Sequence, residues 1–134
     1  MLSDTDKNLI KYRLEQAADC IKAAEDTIAS SLKTSVNRSY YGILHSMRAV
    51  LAMERFDSKK HQGVISAFRQ RYIKTGKIAA QYSDIIHTAF TIRNNCDYQD
   101  FYIVAESDAR QQLENARDFY KTVCDFLDNE IIDS

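Results

Sequence analysis

Apolar residues recur along the chain at alternating steps of three and four, the period of a helix with one buried face. Ile10, Leu14, Ala17, Ile21, Ala24 and Ile28 form the first stripe and predict a helix from about Thr5 to Ser31. After the polar stretch SSLKTS, the residues Val36, Tyr40, Ile43, Met47 and Val50 predict a second from about Thr34 to Arg55, capped by Thr34 or Ser35. A shorter segment from about His61 to Ile73 shows Val64, Phe68 and Tyr72 and breaks at KTGK, around Gly76. Tyr82, Ile85, Ile86, Ala89, Phe90 and Ile92 mark a fourth helix starting at about Ile78. Ala109, Leu113, Ala116, Tyr120, Val123 and Leu127 mark a fifth from about Ala105 to Asp128. Four long helices and a short one, joined by short connections, predict an all-α fold: an antiparallel up-and-down four-helix bundle with an additional short helix, residues 1–134 forming a single domain.

Composition agrees with the periodicity. The 134 residues include 3 Gly and no Pro, where average usage would give about 9 and about 7. So few breakers cannot punctuate a many-stranded sheet. A chain of this length buries roughly two thirds of its unfolded surface without a covalent staple. Its cysteines, Cys20, Cys96 and Cys124, are odd in number and widely spaced, which argues against a disulfide framework or a zinc site. No metal and no cofactor are expected. The charged N-terminus and the lack of any long apolar run lead to the expectation of a cytoplasmic protein that does not enter a membrane. The chain has no GxxxxGK[ST], GxGxxG or HExxH, and no ExxH pair on facing helices, so the parts for nucleotide hydrolysis and di-iron chemistry are missing. Cys96 follows Ile85, Ala89 and Ile92 on an apolar stripe, where a thiol acts as a small apolar group rather than a nucleophile.

Charge is unevenly spread, although the formal total is only -1. Residues 55–77 hold seven bases and one acid, a net +6, and residues 97–134 hold ten acids and three bases, a net -7. Solvated helix faces account for this, as does a basic patch for phosphate beside an acidic outer helix.

Two polar groups stand out against apolar helices. Arg38, Tyr41, His45 and Arg48 share one face of the second helix, roughly opposite its core stripe. They read either as a wet surface or as a groove lined by Arg, His and Tyr. Arg93 continues the stripe of Ile86 and Phe90, so it needs a partner or a cleft. It could pair with Asp97, with Asn94 or Asn95 ending the helix in a left-handed conformation and Tyr98 acting as a wedge.

Taken in order, VNRSYYGILHSMRAVL, KKHQGVISAFRQRYIKTGK, FTIRNNCDY and the terminal amphipathic helix resemble the HEPN superfamily of small helical proteins, over nearly the whole chain. The resemblance implies a five-helix bundle built on a four-helix core, usually a homodimer, often paired with a minimal nucleotidyltransferase (MNT) as a toxin and antitoxin. Active members are implied to be metal-independent RNases with an Arg followed after four to six residues by a His. In them the His moves a proton at the ribose while the Arg stabilises charge on the phosphate, in the groove between two subunits. Arg93 matches that Arg and Asn94 the polar residue after it. Tyr98 stands where the His would be, and no His follows Arg93. A tyrosine with a reference pKa near 10 is a poor general base at neutral pH, although it can donate a hydrogen bond.

In related pairs the nucleotidyltransferase attaches AMP to a tyrosine two residues beyond the His; here that position is Asp100, flanked by Tyr98 and Tyr102. The candidate catalytic set is therefore Arg93, Asn94 and Tyr98, and the candidate nucleotide- or RNA-binding set is Arg38, Tyr41, His45 and His61. His61 is also read as the residue that opens the short helix. The sequence leaves the activity open between an endoribonuclease and a non-catalytic adaptor or nucleotide-binding partner of a nucleotidyltransferase. Apart from the family, apolar helix faces alone are compatible with a plain homo-oligomeric bundle.

Overall fold

The computed structural model describes residues 2–133, with side chains described for residues 2–131. The order is α1 (Asp4–Thr27), α2 (Leu32–Leu51), α3 (His61–Phe68), α4 (Gln81–Tyr98) and α5 (Glu106–Asp133). A 3₁₀ turn (Ala52–Glu54) extends α2, and a π turn (Arg69–Ile73) extends α3. The antiparallel helical bundle predicted from periodicity is the observed fold. Among the described residues, no helix is long and apolar enough to cross a membrane.

Several boundaries differ for local reasons. Ser3 starts α1 with a capping box: its hydroxyl accepts from Asp6 N–H at 3.1 Å, and the Asp6 carboxylate accepts from Ser3 N–H at 3.0 Å. The helix stops at Thr27, earlier than Ser31, because Ser31 is needed as the cap of α2. Ser31 Oγ accepts from Thr34 N–H at 3.2 Å, so neither Thr34 nor Ser35 is the cap. Ser35 is buried instead and donates to the Ala24 carbonyl at 2.8 Å. After the π turn, Gly76 takes a left-handed φ of 79°, and Ile78 N–H closes the turn on the Tyr72 carbonyl at 2.8 Å, so α4 begins only at Gln81.

α2 is the central element, packed on α1, α3, α4 and α5. Its predicted stripe, from Val36 to Val50, is fully buried. A second stripe, Ser35, Ser39, Gly42, Ser46 and Ala49, repeats at four and three, and it too is buried. These small residues let α1 lie close. A Cβ on Gly42 would come within 2.8 Å of Ile21 Cγ1 and 3.6 Å of the Ala17 carbonyl. On α1, Ala17 and Ala24 complete the seam, while Leu14 is only half-buried.

The rest of the core is aromatic. The Phe68 ring lies 5.6 Å from those of Tyr72 and Phe119, and Tyr82 bonds Asp118 and Thr122 at 3.1 and 2.7 Å, tying α4 to α5. On α5 the buried ring is Phe119, and the predicted Tyr120 is half-buried beside it.

The seam makes a testable prediction. Gly42→Ala gains about 1 kcal/mol of helix propensity, but it overpacks a β-branched neighbour, which costs about 1–3 kcal/mol. The urea midpoint should fall, with a net loss of roughly 1 kcal/mol; an unchanged or higher midpoint would show that α1 can move away at no cost.

Candidate functional site

The two polar groups predicted on α2 and α4 meet. α2 offers Arg38, Tyr40, Tyr41, His45 and Arg48, of which Arg38 and Arg48 also touch α1 at Cys20 and Arg13. α4 brings up Arg93, and the first residue of α3 brings up His61. Arg93 is the hub. Its side chain is 14% exposed, and its Nε lies 2.9 Å from Asp97 Oδ2, at an angle that makes this a charge contact rather than a hydrogen bond. Nη1 donates to Asn94 Oδ1 at 3.2 Å and Nη2 to Tyr41 Oη at 3.4 Å. The guanidinium carbon stands 5.3, 5.6 and 5.9 Å from the ring centres of Tyr40, Tyr41 and Tyr98. Three aromatic faces and a carboxylate thus hold a nearly buried cation.

Helix α4 runs through both asparagines to Tyr98, so neither Asn94 nor Asn95 ends it. Apart from Gly76, the left-handed residues among those described are Arg55 (φ 56°) and Phe101 (φ 60°). Tyr98 is no wedge either, being 75% exposed. Asp97 does pair with Arg93, as predicted, and Cys96 is buried with its thiol pushed up by that burial.

His61 opens α3, as the sequence suggests; it is also a site neighbour. Its Nδ1 is 2.9 Å from Tyr40 Oη, and its ring centre is 5.6 Å from that of Tyr41. Burial, and then the charges of Arg93 and Arg48, push its pKa below the usual value, so the ring is neutral at pH 7. Burial pushes Tyr40 up to about 12, so it stays a phenol. If Nδ1 keeps its proton and donates it to Tyr40, Nε2 is a free acceptor; in the other tautomer Nε2–H is a donor.

Beside His61 a cavity of about 270 Å³ is lined by Tyr41, His45, Arg48, Lys59 and His61. His45 is held at about 4, by burial first and then by Arg48, Arg38, Arg13 and His61; its Nδ1 is buried and unbonded. Arg48 has a structural duty. With Arg13 it grips Asp57, at 3.0 and 3.2 Å, which anchors the loop carrying Lys59 to His61. Arg38 holds Asn37 Oδ1 at 2.7 and 3.0 Å and lies 5.0 Å from the Tyr41 ring centre, so two arginines, Arg38 and Arg93, stand close to that ring.

Sequence reasoning missed Tyr40, which it assigned to the core stripe alone. The signal was there, because a core tyrosine's hydroxyl must find a partner. Asp57 was also missed, since nothing in its spacing announces a bridge to Arg13. Among the described residues, no group of three or more His, Cys, Asp or Glu side chains could hold a metal ion.

The geometry can donate hydrogen bonds to an anion, stack a planar ring on tyrosine, and give or take one proton at His61 Nε2. A prediction follows for the histidines. In an NMR titration His45 should titrate near 4 and His61 below 6.5, and Arg93→Gln should move His61 upward. Because both folded values lie below the unfolded one, the unfolded chain takes up protons first as pH falls below about 6.5. Stability should therefore drop between about 6.5 and about 4. His45→Phe should flatten that slope.

The model of the HEPN domain family matches residues 10–129. A Thermotoga maritima protein named as a UPF0332 protein is 28% identical over 118 residues, covering 87% of this chain and 89% of its own. Two Methanocaldococcus jannaschii proteins, each named as a putative toxin, are also similar. One is 25% identical over 122 residues, spanning 90% of this chain and 83% of its own. The other is 33% identical over 90 residues, spanning 66% and 67%. With 120 consecutive residues inside the family's boundaries, on an all-helical bundle of the shape that family takes, the chain belongs to the HEPN family.

Proposed function

We propose that the protein is the HEPN component of a toxin-antitoxin or nucleotidyltransferase-partner system, and that it takes RNA at the cleft between α2, α3 and α4. In this reading Arg93 contacts a phosphate, Tyr41 and Tyr98 offer faces to a base, and His61 moves the proton. The observation that carries it is the bridge made by Tyr40, which bonds His61 Nδ1 at 2.9 Å and packs its ring against the Arg93 guanidinium. The family's chemistry needs an Arg and a His, and no His follows Arg93; His61 supplies an imidazole beside Arg93 from another helix. Two relatives named as putative toxins support the same direction.

The test is degradation and binding of single-stranded RNA by the pure protein. Arg93→Ala should weaken binding about tenfold or more, the usual loss for a charge-assisted hydrogen bond. His61→Ala should abolish cleavage and leave binding within a few-fold. Equal products from wild type, Arg93→Ala and His61→Ala would exclude this site.

A non-catalytic reading has its own support: Asp97 already compensates Arg93, and the low pKa of His61 makes it a weak base. Binding that depends on Arg93, without cleavage, would select it.

A homodimer fits as well. Tyr98, Phe101 and Ile103, at and just after the end of α4, are 75%, 100% and 88% exposed, an apolar segment that a second subunit could cover. Sedimentation should give a dimer, and Phe101→Asp should shift it toward monomer; an unchanged sedimentation coefficient would count against that segment as the interface.

A further inference from the structure

Of the nine arginines, seven lie against a carboxylate; Arg38 and Arg69 do not, among the described residues. Arg38 belongs to the cleft already described. Arg69 lies outside it, and neutral groups hold it in place: Nε donates to Ser83 Oγ at 3.0 Å and Nη2 to the Ser83 carbonyl at 3.1 Å. Its position is fixed while its charge is left whole, and Nη1 has no protein partner among the described residues.

Arg69 also lines two cavities, of about 210 and about 310 Å³. Gln62, His87 and Thr91 stand around the first, and Gln70 and Lys74 around the second; neither cavity has an acid on its wall. The π turn explains why Lys74 is there. Lys74 N–H bonds the Arg69 carbonyl at 2.8 Å, five residues back. Such a turn brings Lys74 round toward the face of Arg69, where an α-turn would carry it further away. Phe90 walls the first cavity one turn before Arg93, and its ring lies 6.2 Å from that of Tyr40. The groove between α3 and α4 therefore adjoins the Arg93 cleft.

We propose that this groove is a second phosphate subsite, centred on Arg69 with Lys74 beside it, that takes the backbone of the RNA strand whose neighbouring nucleotide sits at Arg93. The proposal rests on the RNA reading above. A single strand suits the setting, because a fixed cation, flanking polar donors and a partly exposed aromatic are what a strand-tracking groove provides. The acidic α5 of a second copy suits it less well. Its Glu106, Glu114 and Asp125 already face Arg110, Arg117 and Lys121. Such a contact would also join two different faces, which need not close into a defined oligomer.

The test uses fluorescence anisotropy with a labelled uridine dinucleotide and a labelled oligouridylate of about ten nucleotides, at several salt concentrations. Arg69→Gln should weaken the longer strand about tenfold, and Lys74→Gln about threefold. Each should reduce the salt slope by about 0.7 and leave the dinucleotide unchanged. Arg93→Ala should weaken both ligands. If Arg69→Gln and Lys74→Gln both bind the longer strand with wild-type affinity and slope while Arg93→Ala does not, the subsite is wrong and the cleft stands. If Arg93→Ala changes neither ligand, the cleft reading fails and the subsite fails with it. Should Arg69→Gln fail to fold, the exposed Lys74 variant decides alone. A variant that alters sedimentation but not RNA affinity would make the groove a contact between copies and overturn the proposal.

Discussion

The structure depends on how close α1 can come to α2. Ser35, Ser39, Gly42, Ser46 and Ala49 present almost no side chain on that flank, and Ala17 and Ala24 answer from α1. With one flank sealed this tightly and another covered by α5, α2 has little perimeter left. The polar residues Arg38, Tyr41, His45 and Arg48 occupy what remains, and α3 and α4 close over them from either side. Their half-burial is a consequence of helix packing. So is the raised pKa of Tyr40 and the lowered pKa of His45, because both rings are desolvated in the same gap.

Charge within that gap is arranged so that cations stay without collapsing it. Arg13 and Arg48 share Asp57, Arg93 has Asp97, and the tyrosine faces take up the rest of the Arg93 charge. Removing a partner from such a set leaves a buried charge uncompensated, which is why Asp57 and Asp97 matter as much as the arginines. Arg69 contrasts with these. Serine holds it, so its charge is free to act on something outside the protein.

Most of the fold was legible because the apolar stripes repeat faithfully: every predicted core residue of α2 and α3 is buried, and the five helices lie where periodicity puts them. What escaped was the chemistry of small and mixed residues. Ser35, Ser39 and Ser46 look polar in sequence, yet they form a buried seam: Ser35 and Ser46 return their hydroxyl hydrogen bonds to helix carbonyls, while Ser39 Oγ is buried with no partner among the described residues. A helix end at Asn94 or Asn95, one of the alternatives the sequence left open, does not occur: asparagine's liking for left-handed turns is only a preference, and α4 continues to Tyr98 with Arg93 paired to Asp97 one turn on. For the site, the location of Arg93 on an apolar stripe was readable. The meeting of His61 with it was not, since residues 32 apart on different helices share no period.

That meeting bears on how the replaced histidine should be understood. A tyrosine at position 98, three-quarters exposed, is badly placed to move a proton in a water-excluded site, yet well placed to cover the end of Arg93 or to stack a base. An imidazole contributed by α3 is held by Tyr40 at one nitrogen and has the other available. In the RNA reading proposed above, the two duties that one histidine would combine, touching the phosphate neighbourhood and exchanging a proton, fall separately to Tyr98 and His61. The cost is a weaker base, since Arg93 and burial lower the His61 pKa together. A phosphate at Arg93 would reverse part of that, because its negative charge offsets the guanidinium and raises the His61 pKa back toward its ordinary value. In the RNA reading proposed above, His61 would therefore be a better base with the phosphate in place than without it.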